Sequence, residues 1–381
     1  MKHITCIEDL RLEHKRNVPK AFFDYVDHGS YSEDTFRANT EDLQKLKFRQ
    51  RILVDIANRD TSTTILGEKA TMPLICAPVG STGMQYGDGE IHACRAAQAF
   101  GIPYTLSTMS INSIEDLAET VEKPFWFQLY VMKDRGFIKE LIERAIKAKC
   151  SALVLTVDLQ VIGQRHQDIK NGLSVPPQIY NLKNMIDFIS HPAWLMRTLQ
   201  AKRRNFGNIA GFVKNTDDLE SVSQWTAQQF DATLNWKDLD WIRSIWPGKI
   251  VIKGIHDIDD AREAVKVGAQ AMVVSNHGGR QLDGSRAPFD QLAEIVDAVG
   301  DRIDVICDGG IRRGSHVLKA LSLGAKACSG GRLYLYALAA AGQAGVERVL
   351  GRLHDEIERD MKLMGVRSVA ELGRGNLRWR K

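Results

Sequence analysis

From residue 73 onward, short runs of consecutive apolar residues alternate with stretches in which apolar positions recur every three or four residues. The first kind reads as strands buried on both faces, the second as helices with one face against a core. The runs fall at 74–77, 104–107, 125–129, 152–158, 250–254, 271–275, 304–308 and 327–331, eight in all. Amphipathic stretches at 134–148, 257–267 and 314–323 lie between them, and Gly268 and Gly324 follow two of these where a helix-ending glycine belongs. Eight strands, each followed by helical sequence, predict an α/β chain closed as a (β/α)8 TIM barrel. An open doubly wound sheet is the alternative. It gathers its ligand-binding strand ends at one switch point, whereas polar residues here recur at the ends of most strands.

The remainder attaches to that frame as a single domain over 1–381. Residues 1–72 read as an N-terminal cap, helical and then irregular, with 20–28 a helix ending at Gly29. The barrel occupies 73–340, and 341–381 reads as a C-terminal helical segment. Between strands four and five, 159–236 interrupts the alternation. A gap that long inside a compact barrel is functional or mobile. It carries Val175-Pro176-Pro177, apolar clusters at 184–189 and 194–199, and the basic run Lys202-Arg203-Arg204. Apolar and aromatic residues flanked by cations suit a membrane surface over 177–215. An active-site lid or a solvated excursion are the alternatives.

Composition removes several function classes. With 381 residues, 44% hydrophobic and 26% charged, the chain can fill a large core. A net charge of +4, without basic clusters interleaved with aromatics outside the insertion, argues against a nucleic-acid partner. The six cysteines form no CxxC pair, so no metal is expected. Cys76, Cys307 and Cys328 sit in apolar runs as small core residues, and unpaired thiols fit a reducing cytosol. The amino terminus lacks a signal-peptide core, and no run of about eighteen uncharged apolar residues predicts a spanning helix.

The chemistry collects where a barrel carries its active site, at the carboxyl ends of the strands. Strand six runs into Ser275-Asn-His-Gly-Gly-Arg280, where His277 offers a base near neutrality and Arg280 a planar fork suited to a carboxylate. A lone histidine is more often a surface or core residue, and Gly-Gly is usually just a turn. The compactness of the set directly after a strand favours proton abstraction from a small anion. Strand one ends in Ala77-Pro-Val-Gly80, strand two in Ser107, strand three in Gln128-Leu-Tyr130 and strand four in Thr156-Val-Asp158, with Arg165 beyond. Lys253 ends strand five, as a fixed cation at the mouth or a snorkelling lysine. Asp158 is either a strand-end cap or the partner of an imidazolium; Tyr25 and Tyr130 are by default packing residues. Strands seven and eight end in Asp308-Gly309-Gly310-Ile-Arg312 and Gly330-Gly331-Arg332. Glycine N–H groups with an arginine after these two strands suit a phosphate.

Ser275-Asn-His-Gly-Gly-Arg-Gln-Leu-Asp283, together with the ends of strands one, three, four and seven, resembles the FMN-dependent L-2-hydroxy acid dehydrogenases and oxidases over nearly the whole chain. Asn235-Trp-Lys-Asp-Leu-Asp-Trp241 and the long insertion resemble the bacterial quinone-linked L-lactate dehydrogenase branch, with the mandelate dehydrogenases next. The resemblance implies FMN and oxidation of a short L-2-hydroxy acid, L-lactate to pyruvate first; (S)-mandelate, another such acid or an oxygen-using oxidase are the alternatives. It implies His277 as base with Asp158 as its partner, Arg165 and Arg280 on the substrate carboxylate, and Tyr25 and Tyr130 on the substrate. Lys253 would stabilise the reduced ring, with Pro78, Val79, Gly80, Ser107, Gln128, Thr156 and Ser275 around it. Asp308 would meet the ribityl chain, and Gly309, Gly310, Arg312, Gly331 and Arg332 the phosphate. Met109 stands where glycolate-type members often carry tryptophan, which argues against glycolate. Gly80 beside the reactive edge goes with dehydrogenases. No haem-binding segment precedes the barrel, so an external acceptor is expected, a quinone if the enzyme sits on the cytoplasmic side of the inner membrane. A purely cytoplasmic enzyme is the other expectation, and family barrels often form tetramers. A flavin or phosphate enzyme of isomerase type, or a non-enzymatic docking protein with a relict site, are the rival classes.

Overall fold

A computed structural model describes residues 4–173, 177–213 and 219–379. Its central sheet has eight parallel strands: β1 (Leu74–Cys76), β2 (Thr105–Ser107), β3 (Trp126–Tyr130), β4 (Ala152–Thr156), β5 (Lys249–Ile255), β6 (Ala271–Val274), β7 (Asp304–Asp308) and β8 (Ala327–Gly330). They are ordered β1-β8-β7-β6-β5-β4-β3-β2, and a parallel bridge from Cys76 to Tyr104 closes the ring between β1 and β2. The expected barrel is therefore the observed one, with the strand bounds shifted by a residue or two.

Side chains alternate across each strand, so one sequence row faces inward and the other outward. Outward residues such as Leu153, Leu155, Ile252, Met272, Val274 and Cys307 join the apolar cluster shared with the helices. Inward residues Ile75, Trp126, Ala152, Val154, Val251, Ala271, Val273, Ile306 and Ala327 fill the barrel interior. Continuing those same inward rows by two residues gives Gln128, Thr156, Lys253, Ser275, Asp308 and Ser329, all buried and polar. One period of two thus supplies an apolar floor and a polar mouth. Ser329 belongs to that mouth, which is why β8 reads less apolar than its neighbours.

The other end of the barrel is plugged. The strands Thr63–Ile65 and Glu68–Ala70 pair as a hairpin through Leu66 (φ 49°) and Gly67 (φ 76°), a two-residue turn whose positive φ angles suit the twist of the flanking strands. Ile65, Leu66 and Ala70 enter the barrel's interior cluster from below.

The cap folds as α1 (Ile7–Asn17), α2 (Lys20–Asp27) and α3 (Asp34–Lys45). α2 is the helix expected to end at Gly29. Segment 341–381 is helical only in its first part. The helix Arg332–Met364, interrupted at Ala341–Gly342, stops at Gly365 (φ 68°), and the chain returns as Leu377–Trp379 to pair antiparallel with Leu46–Phe48. Cap and tail are thereby tied together.

The interrupting segment carries the helices His166–Lys170, Leu182–Ser190, Pro192–Gln200 and Leu219–Gln229. The middle two are two-faced. Inward, Phe188 and Trp194 pack their rings on Phe22 of α2 at 5.7 and 5.4 Å, and Trp194 Nε1 donates to the Met84 carbonyl at 2.8 Å. Outward, Leu182, Ile186, Ile189, Met196 and Leu199 are exposed. Val175, Pro176 and residues 214 and 215 of this stretch lie outside the described residues. No helix among the described residues is long and apolar enough to cross a membrane.

Candidate active site

A cavity of about 320 Å³ opens at the carboxyl ends of the strands, roofed by the cap and by the segment between β4 and β5. Its walls include Tyr25, Pro78, Val79, Gly80, Tyr130, Arg165, Lys253, His277, Arg280, Asp308, Gly309, Gly310, Arg312, Gly331 and Arg332. Residues separated by hundreds of positions in the chain meet there because every inward strand row ends at this mouth.

His277 follows β6 in the left-handed region at φ 58°, uncommon for a residue with a Cβ. Its amide donates to Ser275 Oγ at 3.1 Å, and its ring Nδ1 meets Asp158 Oδ1 at 2.9 Å. With Nδ1–H bound to a carboxylate, Nε2 is left as the basic nitrogen. Burial lowers the imidazole's pKa below the ordinary histidine value, against the opposing pull of Asp158, so it is neutral and able to accept a proton at pH 7. Burial also opposes the charge on Asp158, but His277 and Lys253 outweigh it and hold the carboxyl below its usual range. Asp158 reaches this position because Gly254 (φ 106°) interrupts β5: a Cβ there would lie 2.7 Å from the Asp158 side chain.

Two guanidiniums converge on the same side. Arg280 packs over the Tyr25 ring at 4.5 Å and donates to the Tyr25 and His28 carbonyls. Arg165 Nε donates to the Arg280 carbonyl at 3.4 Å. They share one carboxylate, Asp168, at 3.5 Å from Arg165 and 4.0 Å from Arg280. Burial and the neighbouring Arg280 lower the pKa of Arg165. Buried Nη2 of Arg280 has no hydrogen-bond partner. Two cations with one counter-charge, one of them carrying an unfilled donor, form a receptor for an anion. Tyr130 stacks on the His277 ring at 6.5 Å and meets Phe230 edge-on at 6.2 Å. Burial raises its phenol's pKa, so it is a hydroxyl donor at neutral pH.

The floor is a polar relay. Lys253 Nζ donates to Ser275 Oγ at 3.2 Å, Ser275 Oγ donates to Asp308 Oδ2 at 2.6 Å, and Lys253 Nζ lies 3.6 Å from Asp308. Ser107 Oγ donates to Gln128 Oε1 at 2.9 Å. Gln128 Nε2 and Thr156 Oγ1 are buried without partners. Beyond β7, Gly309 (φ 97°) and Gly310 (φ 75°) turn successive backbone amides together, the concavity that holds anions. A Cβ on Gly310 would sit 1.9 Å from the Asn39 carbonyl, so no other residue fits beneath α3. Half-buried Arg312 lies over the Tyr336 ring at 5.8 Å. Arg332 donates to the carbonyls of Val26, Gly278 and His28 at 2.6–3.1 Å, which spends three of its five N–H groups on tying the cap to the β6 loop. Unsatisfied amide and hydroxyl donors around a buried ammonium, leading to an arginine-flanked glycine concavity, match the polar ring, ribityl chain and phosphate of a flavin mononucleotide.

Most of the expected site residues line this cavity; Asp158 and Ser275 stand behind it, bonded to His277 and to Lys253 and Asp308, and Ser107, Gln128 and Thr156 lie buried at the ends of their strands. From outside the barrel, Tyr25 of the cap and Arg165 of the intervening segment were expected and line the cavity, whereas four further residues were not anticipated. Asn39 of α3 exchanges amide hydrogen bonds with Asn276 at 3.0 and 2.7 Å, and Phe206, Thr226 and Phe230 of the intervening segment line the cavity. Asn276 lay inside the quoted motif; Asn39 carried no signal of its own.

Comparison with known proteins agrees with this geometry. A family profile described as FMN-dependent dehydrogenase matches residues 14–379. An L-lactate dehydrogenase of Vibrio cholerae serotype O1 (strain M66-2) is 44% identical over 375 residues, covering 98% of this chain and 99% of its own. An L-lactate dehydrogenase of Alcaligenes faecalis is 44% identical over 370 residues, covering 97% of each chain. Among solved structures, the monotopic membrane protein (S)-mandelate dehydrogenase superposes with a TM-score of 0.94 at 35% identity, covering 99% of this chain and 100% of that one. Mandelate oxidase superposes with a TM-score of 0.83 at 34% identity, covering 99% and 98%. The chain thus belongs to the FMN-dependent dehydrogenase family and is an FMN-dependent 2-hydroxy acid oxidoreductase.

Proposed function

We propose that the enzyme oxidises L-lactate to pyruvate and passes the electrons to a membrane quinone. The observation that carries the reading is the neutral His277, oriented by Asp158, beside two guanidiniums that share a single counter-charge. FMN, when bound, supplies the two-electron acceptor that no side chain provides. Ser107, Gln128, Thr156, Ser275 and the Pro78–Val79–Gly80 backbone would hold its ring system, with Lys253 as the compensating cation. Asp308 would take the ribityl hydroxyls, and Gly309, Gly310, Gly331, Arg312 and the two spare N–H groups of Arg332 the phosphate.

The protein's own part follows from the same geometry. Arg165 and Arg280 grip the substrate carboxylate, fixing C2 and its hydroxyl. Tyr25 and Tyr130 add hydrogen bonds that set the hand of the substrate. His277 Nε2 takes the proton at C2 or its hydroxyl, and Asp158 stabilises the imidazolium that results. The relay of Lys253, Ser275 and Asp308 fixes positive charge where negative charge accumulates.

The exposed apolar outer face of helices Leu182–Ser190 and Pro192–Gln200 supports peripheral membrane docking on the cytoplasmic side, through 177–215, which brings the site to a quinone pool. Assembly as a tetramer is part of the same reading. (S)-Mandelate is the second substrate reading, favoured by the ring of apolar walls formed by Met109, Phe206 and Phe230. A stopped-flow panel of L-lactate, (S)-mandelate and glycolate without oxygen tests the assignment through flavin absorbance. L-Lactate should bleach the flavin fastest; a flavin left oxidised by every acid in the panel overturns the reading.

A further inference from the structure

Between the helices Pro192–Gln200 and Leu219–Gln229, the intervening segment returns to the barrel at Phe206-Gly207-Asn208. Phe206 lines the cavity, and Gly207 N donates to the Ile111 carbonyl at 3.0 Å. A Cβ on Gly207 would lie 2.7 Å from that carbonyl oxygen, so a side chain there would push the segment off the β2 exit. The close approach delivers Asn208, fully buried, to the turn that follows β2.

The Asn208 carboxamide is bonded at both ends. Its Oδ1 accepts from Ile114 N at 2.9 Å and from Arg144 Nη2 at 3.5 Å. Its Nδ2 donates to Ser110 Oγ at 2.9 Å and to the carbonyls of Ser107 at 3.2 Å and Thr108 at 3.4 Å. A backbone N–H and a guanidinium only donate, and carbonyls only accept, so these neighbours fix which way the carboxamide points. The acceptor end therefore holds the start of the helix Ile114–Ala118, and the donor end holds the β2 exit turn. That turn supports the site. Ser107 Oγ donates to Gln128 Oε1, and Met109 lines the cavity beside Gly80. Thr108 Oγ1 donates to the Gln128 carbonyl at 2.7 Å and accepts from Tyr130 N at 3.2 Å, and Tyr130 stacks on His277. Asn208 is sealed behind the turn and acts only through it.

We infer that Asn208 is a positioning residue for the oxidation: its amide N–H groups set the β2 exit turn and, through Thr108, the place of Tyr130 beside the base. The inference rests on the 2-hydroxy acid reading above and deepens it, because the residue belongs to the same segment proposed to dock at a membrane. A misplacement of roughly 1 Å at a reacting group costs up to about 100-fold in rate.

Asn208→Asp separates the two ends of the side chain. A carboxylate keeps the acceptor for Ile114 N and Arg144, but it has no N–H and turns negative charge toward the Ser107 and Thr108 carbonyls. Thr108→Val keeps the volume and removes the link to Tyr130 N. Each flavin-loaded protein is mixed with L-lactate without oxygen, and absorbance gives the spectrum of the bound flavin, the limiting bleaching rate and the half-saturating concentration. Both variants should bleach between about 10- and 100-fold more slowly at saturation. Half-saturation should stay near the wild-type value, since Arg165 and Arg280 are untouched, and the flavin spectrum should shift in Asn208→Asp as Ser107 moves. A residue that only tethers the segment would lower the melting temperature of Asn208→Asp and leave spectrum and limiting rate at wild-type values, which overturns the inference. Should Asn208→Asp fail to fold, bleaching of Thr108→Val at the wild-type rate overturns it equally. Wild-type flavin left oxidised by L-lactate, (S)-mandelate and glycolate alike overturns the parent reading, and this one with it.

Discussion

His277 holds a backbone conformation that costs a residue with a Cβ about 1 kcal/mol, and it does so between Ser275 and two glycines that also have positive φ. The turn aims the imidazole back over the mouth, where Asp158, 119 positions earlier, receives it. Neither the strain nor the pairing is visible in the local sequence. What was legible was residue type at each strand end: a base, forks, a lysine and glycines. Asn39 and Thr226 were not legible, because cap and insertion follow no barrel period, and only packing decides which of their polar residues turn inward. Arg280 illustrates what type alone decides. Its planar fork bonds the Tyr25 and His28 carbonyls while keeping Nη2 free for an anion. An ammonium cannot hold both sets. Arg280→Lys should raise the KM for L-lactate between about 10- and 100-fold, the loss of a charge-assisted contact. Steady-state kinetics with an artificial acceptor measures it, and an unchanged KM would remove Arg280 from the carboxylate site.

Among elements, the strands were the easiest to read, since burial on both faces leaves uninterrupted apolar runs and the shift to polar residues marks the mouth. Helix ends were also legible: Asp134 and Asp257 cap their helices with side-chain bonds to Phe137 N and Asp259 N. The C-terminal return strand was missed because three residues, Leu377–Trp379, are too few to show a period, and their pairing partner lies in the cap. The insertion's helices could be read as apolar but not as two-faced. The structure separates an inner face stacked on Phe22 from an outer one carrying Leu182, Ile186 and Ile189 at successive turns. An apolar stripe of this kind left in water suits a lipid interface. Ile186→Glu combined with Ile189→Glu should reduce co-sedimentation with anionic vesicles at least tenfold, while the inner face and soluble-acceptor turnover are retained. Wild-type protein that stays in the supernatant would exclude docking through this face.

At the scale of the whole molecule, the barrel floor, the plug and the pairing of cap with tail contribute to stability, and the buried imidazoles of His14 and His316 make part of it depend on pH. His14 joins α1 to the core through Gln85 at 2.9 Å, and His316 sits behind the glycine concavity, near the Arg312 amide and the Gly310 carbonyl. Burial pushes each pKa down to about 4. The unfolded chain binds these protons near pH 6.5, so the contribution of these two groups is complete above that value and is lost as pH falls toward 4. Each group contributes about 3 kcal/mol to this loss. Urea unfolding at pH 7 and pH 4.5 should show the difference, with a shallower dependence in His14→Gln. Equal dependence in wild type and variant would show that His14 titrates normally.

The central claim is that one imidazole, held by Asp158 at the barrel mouth, takes the substrate's proton. It is tested most directly by mixing L-lactate with oxygen-free holoenzyme and following flavin bleaching in a single turnover, for wild type and His277→Gln. The account expects FMN to remain bound in the variant and bleaching to slow between about 100- and 10,000-fold, the effect of removing a general base. Bleaching at the wild-type rate in His277→Gln would contradict it.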